Sequence, residues 1–239
     1  MTQALQTTKL GSRLSDKSEQ FDWMPWAWCN LRRNPFGELS REERPEVAVV
    51  DVQAITDLVS SNHQAVQLIG DCGRGKTTRM LVLHRELPES TYAYLSEFEP
   101  CPSIAAGSPV LIDEAQRLPR KIRKRVFASG LPLVLATHKD LTRPLKRAGY
   151  HVVTFHIGET NSPDLVCEAL NRRIVASAID SNCEVPALSL DDATTLVARF
   201  GSDIRAIEGH LYDVVQAQTF QNKNSDLRES ADGKMRFID

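Results

Sequence analysis

The chain has 239 residues, 41% of them hydrophobic and 25% charged, with a formal net charge of −2. That mix excludes a fibre or a wholly disordered chain and suits one large domain, or a domain with a small appendage. Five cysteines without a CxxC pair fit reduced thiols in a cytoplasmic protein better than a disulfide frame or a zinc site, and no apolar run approaches the roughly eighteen residues of a membrane span.

Residues 1–20 are polar and predict an unstructured start, and the N-terminus lacks the apolar centre of a secretion signal. Trp23, Trp26 and Trp28 then fall within six positions. Such a cluster covers an apolar surface of its own domain or offers a docking patch, and the first reading is favoured. Residues 1–33 together read as a flexible N-terminal segment. Asn34-Pro35-Phe36-Gly37 and the turn 40–45 lead into an apolar stretch, Val47 to Val52, and a helix from Gln53 to Ser60.

Residues 65–69 read as a short buried strand, followed by the pattern GxxxxGK[ST] over Gly70, Asp71, Cys72, Gly73, Arg74, Gly75, Lys76 and Thr77, with Thr78 next. A glycine-rich turn of this kind points backbone N–H groups inward as an anion nest, at the positive end of the helix that begins near Lys76. Lys76 would reach the β- and γ-phosphates, and the Thr77 hydroxyl would sit on Mg²⁺. Ahead of such a loop, the aromatic of Asn34-Pro35-Phe36 either lies against a nucleotide base or plugs into the core.

Residues 90–95 alternate as a strand does, and 97–108 read as a loop. Val110-Leu111-Ile112 is then an apolar strand ending in Asp113 and Glu114, about forty residues after the phosphate loop. Asp113 can hold the Mg²⁺ water shell, and Glu114 can polarise a water for in-line attack on phosphorus. Residues 131–136 are another buried strand, ending in Thr137 and His138. Either could touch the γ-phosphate or the attacking water, and that role is favoured over a strand-end cap. His151 to Phe155 makes the fifth strand. Strands alternating with helices imply a parallel sheet with the ligand at its carboxyl ends. From 163 the period is helical throughout, over 164–179, 189–200 and 202–218, and 219–239 read as a disordered polar tail.

These residues resemble the AAA+ superfamily of P-loop ATPases over roughly 34–218, with GDCGRGKT (70–77) as Walker A, PVLIDEA (109–115) as Walker B, LVLATH (133–138) as the sensor 1 strand and GSDIRAIEGHLYDVV (201–215) as the sensor 2 helix. The NPF at 34–36 is similar to the start of the ATPase module in bacterial transposition helpers and secretion-associated ATPases, where it lies by the adenine. The resemblance implies an α/β P-loop NTPase fold: a three-layer αβα core (34–158) with a parallel five-stranded sheet in the order 5-1-4-3-2, and a small C-terminal helical lid (163–218). It implies ATP and Mg²⁺ as ligands, hydrolysis that is slow unless a partner or self-assembly stimulates it, and Arg205 reaching from the lid to the γ-phosphate. Arg147, with Arg143 second, is the best-placed candidate for an arginine finger. The spacing from Walker A to Walker B departs from the pattern, leaving little room for a helix between the second and third strands.

Other readings follow from other residues. Thr137-His138-Lys139-Asp140 is similar to a damaged guanine-recognition motif of GTPases, but Asp113-Glu114-Ala115-Gln116 lacks the glycine that pattern wants. A small-molecule P-loop kinase suits Glu114 poorly, because a carboxylate beside Asp113 activates water. Between Arg117 and Tyr150 ten basic residues face one acid, Asp140, which suits a DNA-associated switch or, more plainly, a solvated helix face.

Overall fold

The computed structural model describes residues 24–158, 161–224 and 235–238. The expectation of an unstructured 1–20 and the place of Trp23 lie outside them, as does most of the stretch from 225 onward. No helix among the described residues is long and apolar enough to cross a membrane.

In chain order the elements are α1 (Glu43–Val47), α2 (Gln53–Leu58), β1 (Gln64–Ile69), α3 (Lys76–Glu86), β2 (Thr91–Tyr94), β3 (Val110–Asp113), α4 (Arg120–Phe127), β4 (Leu133–Thr137), α5 (Thr142–Arg147), β5 (His151–His156), α6 (Pro163–Ala176), α7 (Leu190–Phe200) and α8 (Ile204–Asn224). The five strands pair in parallel in the order β2-β3-β4-β1-β5. This is the order the resemblance implies, read from the other edge. Residues 95–109 carry no helix, so the short spacing is a true departure from the pattern.

The apolar strands are explained by what covers them, since a parallel sheet buries both faces. Ala65, Ile112, Leu133 and Leu135 pack on one side against Phe127 of α4 and Leu145 of α5. Val66, Leu68, Val134 and Ala136 pack on the other against Met80 and Leu83 of α3 and Val59. Parallel registers set Ile69 beside Thr137 and Tyr94 beside Asp113, so all carboxyl ends open on one edge.

Gln67 is the polar exception, with no exposure at mid-strand. Its amide nitrogen lies 2.9 Å from Asp140 Oδ1, 2.7 Å from Thr142 Oγ1 and 2.7 Å from Thr154 Oγ1, and its oxygen accepts from Leu141 N at 3.0 Å. The Thr142 side chain and amide, then Gln67, hold the Asp140 carboxyl down at about 2. A folded pKa below the unfolded value stabilises fully above the unfolded pKa and is lost as pH falls towards the folded one. Asp140→Asn is therefore expected to lower the melting temperature at neutral pH, and the deficit is expected to shrink on acidification below about pH 4. Calorimetric scans across that range check it.

The helical domain is built on capped helices. Ser162 accepts from Leu165 N with Pro163 in the first turn of α6, and Ser189 with Asp192 makes a capping box on α7. Val166, Leu170, Ile174, Leu196, Ile207 and Leu211 form its core.

Two boundaries of the domain reading are corrected here. Residues 24–33 are not a free segment: Cys29 and Leu31 are buried in that core, Leu31 bridges to Ala178, and the Asn30 amide donates to the Asp180 and Cys183 carbonyls at 2.8 and 3.0 Å. Trp26 packs against the same core while Trp28 is exposed. Nor is 219–239 wholly a tail. The last helix runs to Asn224, and Met235 and Phe237 are buried, with the Phe237 ring edge-on to Phe36 at 6.0 Å. Both flanking segments therefore contribute to the core of the three helices.

Candidate active site

The loop between β1 and α3 is shaped by its glycines. Gly75 is the N-cap of α3 at φ 87°, with no side-chain cap, so the first amides of α3 face outward along the helix dipole. Gly73 has φ 76°, and a Cβ there would fall 2.2 Å from the Asp203 carboxylate of the helical domain. Lys76 is 5% exposed, and its ammonium donates to the carbonyls of Gly70 at 2.6 Å and Asp71 at 2.7 Å. Burial lowers its pKa, opposed by the carboxylates of Glu114 and Asp113.

Across from it, at the tip of β3, Asp113 has no exposure. It accepts from the Tyr92 phenol at 3.1 Å and from Glu114 N at 3.0 Å, and the Thr77 side chain is near enough to favour its ionised form. Burial pushes the Asp113 carboxyl up, and those hydrogen bonds hold it down in part. Burial and the nearby Asp113 charge push the Tyr92 phenol up.

Glu114 takes a left-handed φ of 60°. That conformation costs an L-residue about 1–3 kcal/mol and is tolerated where surroundings impose it. It places the carboxylate on the cavity wall, where it accepts from the Gln116 amide at 2.6 Å and lies 3.6 Å from Arg117 and 3.4 Å from His138 Nε2. Gln116, which sequence reasoning missed, also accepts from His138 N at 3.3 Å, so it ties the β3 and β4 tips together.

The structure separates Thr137 from His138. The Thr137 hydroxyl donates to Lys139 O at 2.9 Å and accepts from Lys139 N at 3.0 Å, and its residue is fully buried. It caps the strand end, and the expectation that it reaches a ligand is corrected accordingly. His138 stands at Glu114, with its Nε2 3.8 Å from the Cys72 thiol of the loop.

Asn34 and Phe36 need correction as nucleotide contacts. The Asn34 side chain accepts from Phe36 N at 3.1 Å and donates to Tyr212 O at 3.0 Å. Phe36 borders the cavity, but it is 4% exposed and packs in the helical domain's core. The apolar wall on that side is made instead by Leu39 and Val47 to Val50.

The helical domain closes over the loop. The Arg74 guanidinium donates to the Ser202 hydroxyl, which donates to Gly158 O at 2.6 Å. Arg205, in the first turn of α8, borders the cavity. A second arginine, Arg173 of α6, was not singled out from the sequence. It is 7% exposed, donates to Pro35 O at 3.0 Å and to Gly37 O, and pairs with Glu208 of α8. The cavity holds about 1050 Å³, with residues 72–79 as its floor and Thr78 among them. Arg143 and Arg147 are exposed on α5 and do not border it.

Thr77 and Asp113 supply two hard oxygen donors, and the described residues hold no cluster of three or more His, Cys, Asp or Glu placed for a metal. That set fits Mg²⁺, which takes few protein ligands and completes its shell with phosphate and water.

No protein-family model matches the chain, and no curated protein matches it. Among solved structures, Cdc6p from Pyrobaculum aerophilum aligns at a TM-score of 0.47 and 15% identity, over 83% of this chain and 66% of that one. The Thermotoga maritima RuvB Holliday junction branch migration motor aligns at 0.45 and 16%, over 76% of this chain and 64% of that one. Alignments this loose leave the reading of the site to its own residues.

Proposed function

We propose that the cavity binds Mg·ATP, that the chain is an ATPase of the AAA+ type, and that the lid reports the nucleotide state to a partner. The observation that carries this is Lys76 and Thr77 on the cavity floor facing the buried Asp113 carboxylate at the adjoining strand tip, whose ionised form the Thr77 side chain favours. Hydroxyl, carboxylate and ammonium converge where a strand tip meets a helix N-terminus, the arrangement that polyphosphate and its cation require.

In this reading the amides of 70–78 and Lys76 hold the phosphates, Lys76 having a third donor beyond its two loop carbonyls. Thr77 and Asp113 hold Mg²⁺, which supplies neutralisation of charge on the phosphoryl oxygens. Glu114 orients the attacking water and accepts its proton, while His138 and Gln116 fix the Glu114 carboxylate. Arg205 meets the γ-phosphate from the lid, and loss of that phosphate frees the lid to rotate. Arg173 passes the movement on, because it joins the 35–37 turn to Glu208 of α8. Self-association through Arg147 or Arg143, DNA, and an unidentified protein are the partners this switch would serve, in a cytoplasmic setting.

The guanine alternative loses support because the Asp140 carboxylate is bound to Gln67 and Thr142 and is held within the fold. Competition between labelled ATP and unlabelled GTP tests the choice. ATP preference of at least tenfold is expected, and clear GTP preference would overturn it.

A further inference from the structure

Helices α4 and α5 lie on the same face of the sheet, both seated on the core that includes Phe127 and Leu145. Their outer surfaces expose Arg120, Lys121, Lys124, Arg125, Arg143, Lys146 and Arg147. Arg117 is not part of this surface: its guanidinium bonds Leu95 O and Glu97 beside the cavity. The one acid of the stretch, Asp140, is bonded to Gln67 and Thr142.

The first-turn charges of α4 are placed against the helix's own interest. Arg120 and Lys121 occupy its first turn, where the dipole disfavours cations, and no acid lies there. Arg120 with Arg123 and Lys124, and Lys121 with Lys124 and Arg125, are like-charged pairs three or four apart, a spacing that destabilises. No ion pair or side-chain hydrogen bond among the described residues relieves any cation of α4. A merely solvated face intersperses signs, as α3 and α6 do: α3 ends Arg85-Glu86, and α6 pairs Arg172 with Glu168.

From this arrangement we infer that the α4–α5 face is a docking surface for duplex DNA, held by its phosphates. Charge complementarity argues for a polyanion, and cations borne by two helices on one face suit the regularly repeated phosphates of an extended duplex. The face lies away from the nucleotide cavity, which none of these cations borders. The inference therefore names a partner for the proposed switch while standing on charge alone.

The test is binding of a labelled random-sequence DNA duplex to the full chain without nucleotide, as a function of salt. The combined variant Arg120→Ala, Lys121→Ala, Lys124→Ala keeps good helix formers, and circular dichroism confirms its fold. It is expected to bind at least about tenfold more weakly at low salt, and to flatten the slope of log K against log salt by about 2.7, or about 0.9 for each phosphate that no longer meets a cation. Arg85→Ala on the opposite face, and Lys76→Ala in the cavity, are expected to bind as the parent does, so failure of the nucleotide reading leaves this result standing. No retention of the duplex by the parent, an unchanged slope in the α4 variant, or equal competition by polyglutamate would overturn the inference.

Discussion

Lys76→Ala is expected to weaken Mg·ATP binding about a thousandfold, or about 4 kcal/mol, as read by titration with a fluorescent nucleotide. The ammonium is 5% exposed and held by two loop carbonyls, so it is already oriented before any ligand arrives. A preorganised charge in a partly desolvated site is worth far more than the same charge on a flexible surface chain. Burial also lowers the Lys76 pKa, so the side chain gains by meeting an anion there. The variant is expected to remain folded, because the apolar residues that anchor α3, Met80 and Leu83, are untouched. Lys76→Ala that bound as the parent does would remove the ammonium from the site.

Glu114→Gln separates the two halves of the mechanism. Binding of Mg·ATP is expected to stay within about twofold, while turnover falls by a factor of about 10²–10³, the size of effect seen when one aligned catalytic group is removed. The amide has the shape of the carboxylate and keeps a carbonyl oxygen for Gln116, so the β3–β4 tie survives. It lacks the negative charge that accepts a proton from water. Phosphate release in single turnover checks it, and undiminished hydrolysis would remove Glu114 from the role.

The glycine-rich loop after β1 and the acid pair after β3 were legible because each is a run of fixed residue types at a strand end. The strand order was legible only through the family resemblance, since apolar runs identify buried strands but not their neighbours. Thr137 and His138 could not be told apart by type. They are consecutive at the end of a strand, where successive side chains point to opposite sides, and only the paired register decides which meets Glu114. Phe36 failed for a related reason. An aromatic beside a proline reads the same whether it stacks on a base or fills a core, and its partner Phe237 lies two hundred residues on, in a polar stretch with no period. Arg173 was hidden among the apolar positions of α6, where a charge reads as an interruption unless its buried acceptors are known.

The central claim is that a triphosphate and its cation bridge the 70–78 loop and the tip of β3. Equilibrium dialysis of ATP against the full chain, with Mg²⁺ and again with a chelator, tests it most directly. One ATP retained per chain, with affinity that drops on chelation and loses that sensitivity in Asp113→Ala, is the predicted result. ATP distributed equally across the membrane at millimolar protein would contradict it.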